Sequence, residues 1–300
     1  MGPFVGVIIL NTNKREDTLA CLASLKRGSF PDFACIVVDN GSTDGSCEAI
    51  EAQFPEIPIY KTPRNGGWGG CNNFGISRMR ERFDPIWYFL LNEDTLLDVD
   101  CLYWLYKLVQ SDTRVGCVGP LIYHADEPSI IQSAGGLLTQ QWTVQHLGQN
   151  QRDLGLYSDP MEVDWISGCA LMVSRRAIEE VGLISEEFFI YWDEVDWCLR
   201  FRQAGFKIMT EPRAKVWHKG VKRLYSPKPV ITYYVTRNRF LLLSKHHAPI
   251  SAQSIAWLQV IRTFLSWSIR PKWRLMYKHR DALLAGMLDF VRHRWGAILQ

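Results

Sequence analysis

The feature that most constrains this chain is an alternation. Continuous apolar runs, "VGVIIL" (5–10), "FACIVVDN" (33–40) and "PIWYFLLNEDT" (85–95), are separated by stretches of helical character. An apolar run without polar interruption reads as a strand buried on both faces. After the first run, "NTNKREDTLACLASLKRG" reads as a polar loop and then a helix ending near Gly28. "GSTDGS" is a turn, "CEAIEAQF" a helical stretch and "PIYKTP" a short strand. "RNGGWGGCNNFGISRMRERF" is a glycine-rich loop entering a helix, and "LDVDCLYWLYKLVQSD" is a further helix. Strands alternating with helices predict an α/β fold with a mostly parallel central sheet. Ligands of such sheets bind at the carboxyl ends of the strands. The polar clusters "NTN", "DNGSTDGS" and "NEDT" all lie at such ends.

From about residue 115 the pattern changes. "VGCVGPLIY" and "IIQSAGGLLT" suggest short strands and turns, with an irregular insert to about 160. "VDWISGCALMVSRRAIEEVG" reads as a strand and then a helix, and "FKIMTEPRAKVWHKG" as a strand. Residues 230–300 read as mainly helical and amphipathic, broken at Pro249 and Pro271. With 300 residues, 47 % hydrophobic, the chain suffices for one large domain or a domain plus an appendage.

The net charge of +3 conceals an asymmetry: residues 200–300 carry +17 and residues 1–199 carry −14. A basic, Trp- and Leu-rich end suits an anionic membrane surface better than nucleic acid, so no nucleic-acid partner is expected. The opening "MGPFVGVIILNTN" reads as a first strand, not a signal peptide. No apolar run approaches the roughly 20 residues that span a bilayer. The eight cysteines form no C-x-x-C pair and mostly sit in apolar runs, which points to buried reduced thiols and a cytosolic compartment.

The chemistry concentrates in a few motifs. In "EEFFIYWDEVDWCLRFRQAG" (186–205), Asp193, Glu194 and Asp196 follow an aromatic run and open a helical pattern. Unpaired acids are costly to bury. These could cap a helix, bind a metal, or remove a proton. Asp39 at a strand end is either a turn-former before Asn-Gly or an acceptor for a base imino N–H, which uracil, thymine and guanine carry. "RNGGWGGCNNFGI" is either a plain turn or a loop whose N–H groups approach an anionic ligand at a helix start. It does not fit the G-x-x-x-x-G-K-[ST] phosphate loop.

These motifs, followed by "SGCALMVSRRAIEEVG" and "VWHKG", occur in the order found in inverting family 2 glycosyltransferases of the GT-A fold. Over roughly residues 4–245 the chain resembles the bacterial rhamnosyltransferase-like and galactofuranosyltransferase-like members. The resemblance implies a GT-A catalytic domain over 1–228, with a nucleotide-sugar half (1–115) and an acceptor half (116–228). A C-terminal mainly helical extension over 229–300 follows. It implies sugar transfer from a nucleotide-diphosphate sugar, dTDP-rhamnose or a UDP-sugar, to a glycan or lipid-linked glycan in polysaccharide biosynthesis. By the same resemblance Glu194 is the catalytic base. Thr12, Asn13, Asp39, Asn65, Gly69, Asn73 and Asn92 line the donor site. Asp94 and His218 hold Mg²⁺ or Mn²⁺, and Asp193, Asp196, Trp192 and Gly168 face the acceptor. The aromatics Phe188, Phe189, Tyr191 and Trp192 would form a platform for sugar C–H faces. The chain departs from the family's DxD pattern: Asn92 stands where the first acid would be. A basic end attached to the inner face of the cytoplasmic membrane would meet a lipid-linked acceptor. Two other functions fit less well. A sugar-phosphate nucleotidyltransferase would need glycines in "NTNKREDT", and a non-catalytic carbohydrate-binding module would leave "NEDT", "WDEVDW" and His218 unexplained together.

Overall fold

A computed structural model describes residues 2, 4–220 and 228–298. Residues 221–227, just ahead of the expected domain boundary at 228, lie outside the described residues. The first half follows the predicted alternation: β1 (Val5–Asn11), α1 (Arg15–Lys26), β2 (Phe33–Asp39), α2 (Ser46–Gln53), β3 (Ile59–Lys61), α3 (Gly67–Phe83) and β4 (Trp87–Asn92). Then come β5 (Thr95–Leu97), α4 (Cys101–Ser111), β6 (Val115–His124), β7 (Ile131–Ser133) and the hairpin β8 (Gly136–Leu138) with β9 (Val144–His146). The chain continues through β10 (Met161–Glu162), β11 (Ala170–Ser174), α5 (Arg175–Val181), α6 (Asp193–Gln203) and β12 (Lys207–His218). It ends in α7 (Pro229–Lys245), α8 (Ile250–Ile269), a 3-10 turn (Pro271–Met276) and α9 (Tyr277–Val291). The helical breaks fall at Pro249 and Pro271, where a ring in place of the N–H cannot continue a helix.

The long strands lie in the order β3-β2-β1-β4-β11-β6-β12. Six of these seven run one way and β11 runs the other. The sheet is therefore mixed and mainly parallel. This direction positions the site: Asn11, Asp39, Asn92, His124 and His218 end their strands at one edge. Because β11 is reversed, its start brings Gly168 and Cys169 to that same edge.

Both faces of the sheet are covered, which explains the unbroken apolar runs. Val7, Ile9, Val37 and Phe89 pack with Leu22 and Leu25 of α1, Ile50 of α2 and Leu105 of α4. Their neighbours Ile8, Ile36, Val38 and Leu90 pack with Ile76 and Met79 of α3, Ile178 of α5 and Trp197 of α6. Burying apolar surface at about 25 cal/mol per Å² makes these two layers the main source of stability. All eight cysteines are free and buried. α7 belongs to two clusters: Leu241 and Leu242 join the second layer, while Phe240 and Leu243 pack with Ala252, Ala256 and Val260 of α8 and Leu283 of α9.

Candidate active site

A cavity of about 350 Å³ opens at the carboxyl edge of the sheet. Asn92, Asp94 and His218 form one wall, Asp193 and Glu194 another, and Trp68, Gly168 and Tyr191 lie among them. Asp94 sits in the tight turn between β4 and β5, and its carbonyl accepts the Lys219 N–H at 2.9 Å. β5 pairs antiparallel with the end of β12, Thr95 opposite His218, so the motifs "NEDT" and "VWHKG" are zipped together.

His218 Nε2 lies 3.1 Å from Asp94 Oδ1, yet that oxygen is buried without a hydrogen-bond donor. The ring's other nitrogen explains this. Nδ1 is 3.1 Å from Gln132 Oε1, an acceptor, so Nδ1 carries the proton and Nε2 presents a lone pair. Two acceptors thus face each other, an arrangement that calls for a cation between them. Gly220 must be glycine here, since a Cβ would stand 2.5 Å from Asp94 Oδ2 and 3.0 Å from His218 Nε2. Among the described residues no group of three or more His, Cys, Asp or Glu side chains converges as a metal cage. A metal at Asp94 and His218 would complete its shell from outside the protein, as a hard cation does on phosphates and water. The neighbouring Glu93 is raised to about 7, first by burial and then by Asp94.

Across the cavity, Asp193 and Glu194 open α6. Asp193 is buried, with Oδ2 lacking a partner. Burial, and then repulsion from Glu194, push its carboxyl well above the carboxylate range. Burial raises Glu194 too, partly offset by its contact with Asp193 and by backbone N–H groups at the helix start. Both carboxyls of the pair are thus pushed above their ordinary range, chiefly by burial, which makes the pair more basic than exposed acids.

The other expected site residues divide. Asn92 lines the cavity and its Oδ1 accepts from Trp68 Nε1 at 3.3 Å. Gly168 lines it as well, and a Cβ there would come within 2.9 Å of the Trp68 ring. Asp39 is buried, with Oδ1 accepting from Asn11 Nδ2 at 2.8 Å and Oδ2 from the Ser42 N–H at 3.1 Å. These bonds hold the turn that follows β2 at the strand-end edge. Thr12 is exposed at the same edge, and Asn13 Oδ1 caps the Thr43 N–H at 2.8 Å. Asn65 Oδ1 accepts from Gly67 N at 3.0 Å and Asn40 Nδ2 at 3.1 Å, organising the glycine loop.

Thr12, Asn13, Asp39 and Asn65 thus lie outside the cavity lining, and so do Gly69, Asn73, Trp192 and Asp196. Gly69 lets α3 approach Ile184, whose methyl a Cβ would meet at 2.8 Å. Asn73 pairs with the Ile184 backbone, donating to its carbonyl at 2.9 Å and accepting from its N–H at 3.0 Å. Trp192 is in the core. Asp196 is fully buried, paired with Arg200 Nε and His246 Nε2, both at 2.9 Å. It braces α6 instead of holding an acceptor. Of the aromatic platform only Tyr191 lines the cavity; Phe188 is core and Phe189 stacks on Tyr234.

Sequence reasoning did not single out Trp68, Gln132 or His146, which all line the cavity. His146 is pushed down to about 4 by burial and so is neutral at ordinary pH, with Nδ1 2.9 Å from Ser133 Oγ. Trp68 lies within the glycine-rich motif but was not itself distinguished from it, and no local pattern marks Gln132 or His146. Arg237 and Asn238, also outside the expected site, bind the back of the 187–191 loop.

Comparison with known proteins agrees with this geometry. The profile described as "Glycosyl transferase family 2" matches residues 6–182. The chain belongs to that family and is a glycosyltransferase. It is 29 % identical over 216 residues to an N-acetylglucosaminyl-diphospho-decaprenol L-rhamnosyltransferase of Mycobacterium tuberculosis, covering 66 % of this chain and 70 % of that protein. It is 34 % identical over 126 residues to the dTDP-rhamnosyl transferase RfbF of Shigella flexneri, covering 39 % and 43 %. It is 23 % identical to the galactofuranosyltransferase GlfT2 of Mycolicibacterium smegmatis, covering 82 % of this chain and 42 % of that one. Among solved structures, the mannosyltransferase PcManGT from Pyrobaculum calidifontis, in complex with GDP-Man and Mn²⁺, superposes with a TM-score of 0.60 at 14 % identity, covering 98 % and 88 %. GalNAc-T7 with UDP, GalNAc and Mn²⁺ gives 0.64 at 14 % identity, covering 81 % of this chain and 48 % of that one. The architecture is the GT-A fold.

Proposed function

We propose that this cavity moves a sugar from a nucleoside-diphosphate sugar to a hydroxyl of a lipid-linked glycan, with inversion at the anomeric carbon. The observation that carries the reading is the meeting of two acidic elements in one cavity, Asp94 with His218 and Asp193 with Glu194. Glu194 accepts the proton of the attacking hydroxyl, and burial, which raises its proton affinity, suits it to that role. Attack by the acceptor itself is a single displacement and inverts the centre. Asp94 and His218 would hold Mg²⁺ or Mn²⁺, which as a Lewis acid would neutralise the leaving diphosphate. The chain's likeness to an N-acetylglucosaminyl-diphospho-decaprenol L-rhamnosyltransferase and a dTDP-rhamnosyl transferase supports dTDP-rhamnose as donor and a polyprenyl-diphosphate glycan as acceptor. Purified protein, dTDP-rhamnose and a polyprenyl-diphosphate N-acetylglucosamine acceptor should give a rhamnosylated product whose anomeric configuration is opposite to the donor's. No transfer from dTDP-rhamnose or UDP-sugars with either metal would overturn the reading.

The same proposal places the enzyme on a membrane surface. Among the described residues no helix is long and apolar enough to cross a membrane. α8 nevertheless has two apolar stripes. Ala252, Ala256 and Val260 are buried, while Leu258, Ile261, Leu265 and Ile269 on the far side are exposed. At 100° per residue the two stripes lie about 180° apart. A shallow recess of about 730 Å³ runs along the outer stripe, lined also by Arg262, Arg270, Lys272 and Trp273 and by no acid. None of these cations has a carboxylate partner among the described residues. Apolar side chains ringed by free cations suit an anionic bilayer; a second copy would set like charges together.

A further inference from the structure

The segment 188–194 meets the cavity on one side and α7 on the other. Ile190 and Tyr191 line the cavity, and Asp193 and Glu194 begin α6. Within it Phe189, Tyr191 and Trp192 are left-handed, with φ of 66°, 65° and 72°. Residues with a Cβ hold that conformation only where their surroundings over-determine it.

Here the surroundings are two adjacent side chains of α7. Asn238 Nδ2 donates toward the carbonyls of Phe188 at 2.8 Å, Ile190 at 2.8 Å and Tyr191 at 2.9 Å. An amide has two hydrogens, so three carbonyls share them. Arg237 Nε donates to Asn238 Oδ1 at 2.9 Å, which settles which end of the amide faces the loop. The guanidinium is 1 % exposed and has no carboxylate partner among the described residues. It donates instead to the carbonyls of Glu187 at 3.2 Å, Phe188 at 3.0 Å and Gly296 at 2.7 Å. The Phe189 carbonyl accepts the Trp68 N–H of α3 at 2.8 Å. Gly67 is needed beside it, since a side chain would collide with that oxygen. The loop is thus tied to the glycine-rich helix on one side and to α7 on the other.

We propose that Arg237 and Asn238 are positioning residues for transfer. They touch no substrate. They hold the loop that sets where Glu194 and the Ile190–Tyr191 wall stand, and so the reach of the base to the acceptor hydroxyl. The inference rests on the reaction proposed for this cavity, and its test separates the two.

The test compares Asn238→Ala with Val260→Ala, which trims the α7–α8–α9 core away from the loop. Both are measured well below their melting temperatures. Amide hydrogen exchange across 188–194 should rise about tenfold or more in Asn238→Ala and stay near wild type in Val260→Ala. Transfer kcat should fall about 10- to 100-fold in Asn238→Ala, with nucleoside-diphosphate affinity within about threefold of wild type. Val260→Ala should keep kcat within about twofold even at an equal loss of Tm. Asn238→Ser, which retains one donor, should lie between and serves where the alanine variant does not fold. Unchanged exchange across 188–194, equal kcat losses in the two variants, or failure of both Asn238 variants to fold would overturn the proposal. Exchange reads the clamp without turnover, so a wild type that transfers no sugar would count against the reaction and leave the clamp standing or falling on its own signal.

Discussion

His218 and Asp94 face each other across 3.1 Å, Nε2 to Oδ1, with no hydrogen bond between them. Two buried acceptors at that distance repel unless a cation lies between. Asp94→Ala should therefore weaken Mn²⁺ and nucleoside diphosphate binding together, by about tenfold or more, and His218→Ala should do so less. Titration calorimetry of Mn²⁺ with UDP or dTDP present checks this. Wild-type activity that survives exhaustive EDTA treatment would remove the metal from the scheme.

Glu194→Gln keeps the shape of the side chain and removes its basicity. Turnover should fall about 10²-fold or more, with nucleotide affinity nearly unchanged. In the wild type, activity should decline as pH drops through the raised pKa of Glu194, because the base becomes protonated. A Glu194→Gln enzyme with near-normal kcat would assign the base elsewhere.

Asp193 gives a stability test with a definite sign. Its folded pKa is raised well above the ordinary value, so folding favours the protonated form. Its stabilising contribution is complete below the unfolded pKa of about 3.9 and is lost as pH rises through the folded value. Asp193→Asn removes that loss. The variant should melt above wild type at pH 8, and the gap should close toward pH 4. A gap that widens as pH falls would contradict the assignment.

The outer stripe of α8 predicts binding to vesicles containing anionic lipid at low salt, reversed at high salt. Leu258→Asp with Leu265→Asp should abolish cosedimentation, while melting and turnover on a short, water-soluble acceptor stay near wild type. Wild-type protein that ignores anionic vesicles at low ionic strength would exclude membrane docking. Dimerisation that the same double variant disrupts would point to a second copy instead.

Much of the fold was legible because its signals are local. β1, β2 and β4 are unbroken apolar runs, and Pro249 and Pro271 punctuate the last helices. The site was legible where the motifs lie at strand ends, as with Asn92, Asp94 and His218, and at the start of α6, as with Asp193 and Glu194. Motif membership misled where helical geometry turns a residue away. Asp196 follows Glu194 by two positions, about 200° around α6, and so points to His246 and Arg200. Asn73 lies one turn beyond Gly69 and faces Ile184. Trp68, Gln132 and His146 meet only once α3, β7 and β9 are folded together. Long-range contacts of that kind leave no periodic trace in the chain. Arg237 and Asn238 were not singled out for the same reason, since a basic tetrapeptide carries no mark of its burial.

α7 supplies Leu241 and Leu242 to the catalytic layer, and Phe240 and Leu243 to the terminal helices. One helix thus serves as an internal wall for both parts of the molecule. Neither part can lose its order without stripping the other of a wall, so heating should give one calorimetric peak, with equal van't Hoff and measured enthalpies. Chain cut at residue 228 should accumulate as aggregate, because the second apolar layer would lose Leu241 and Leu242. On the ribosome, the same dependence would delay completion of the catalytic half until the segment after α9 has emerged: Gly296 must be out before Arg237 has all its partners.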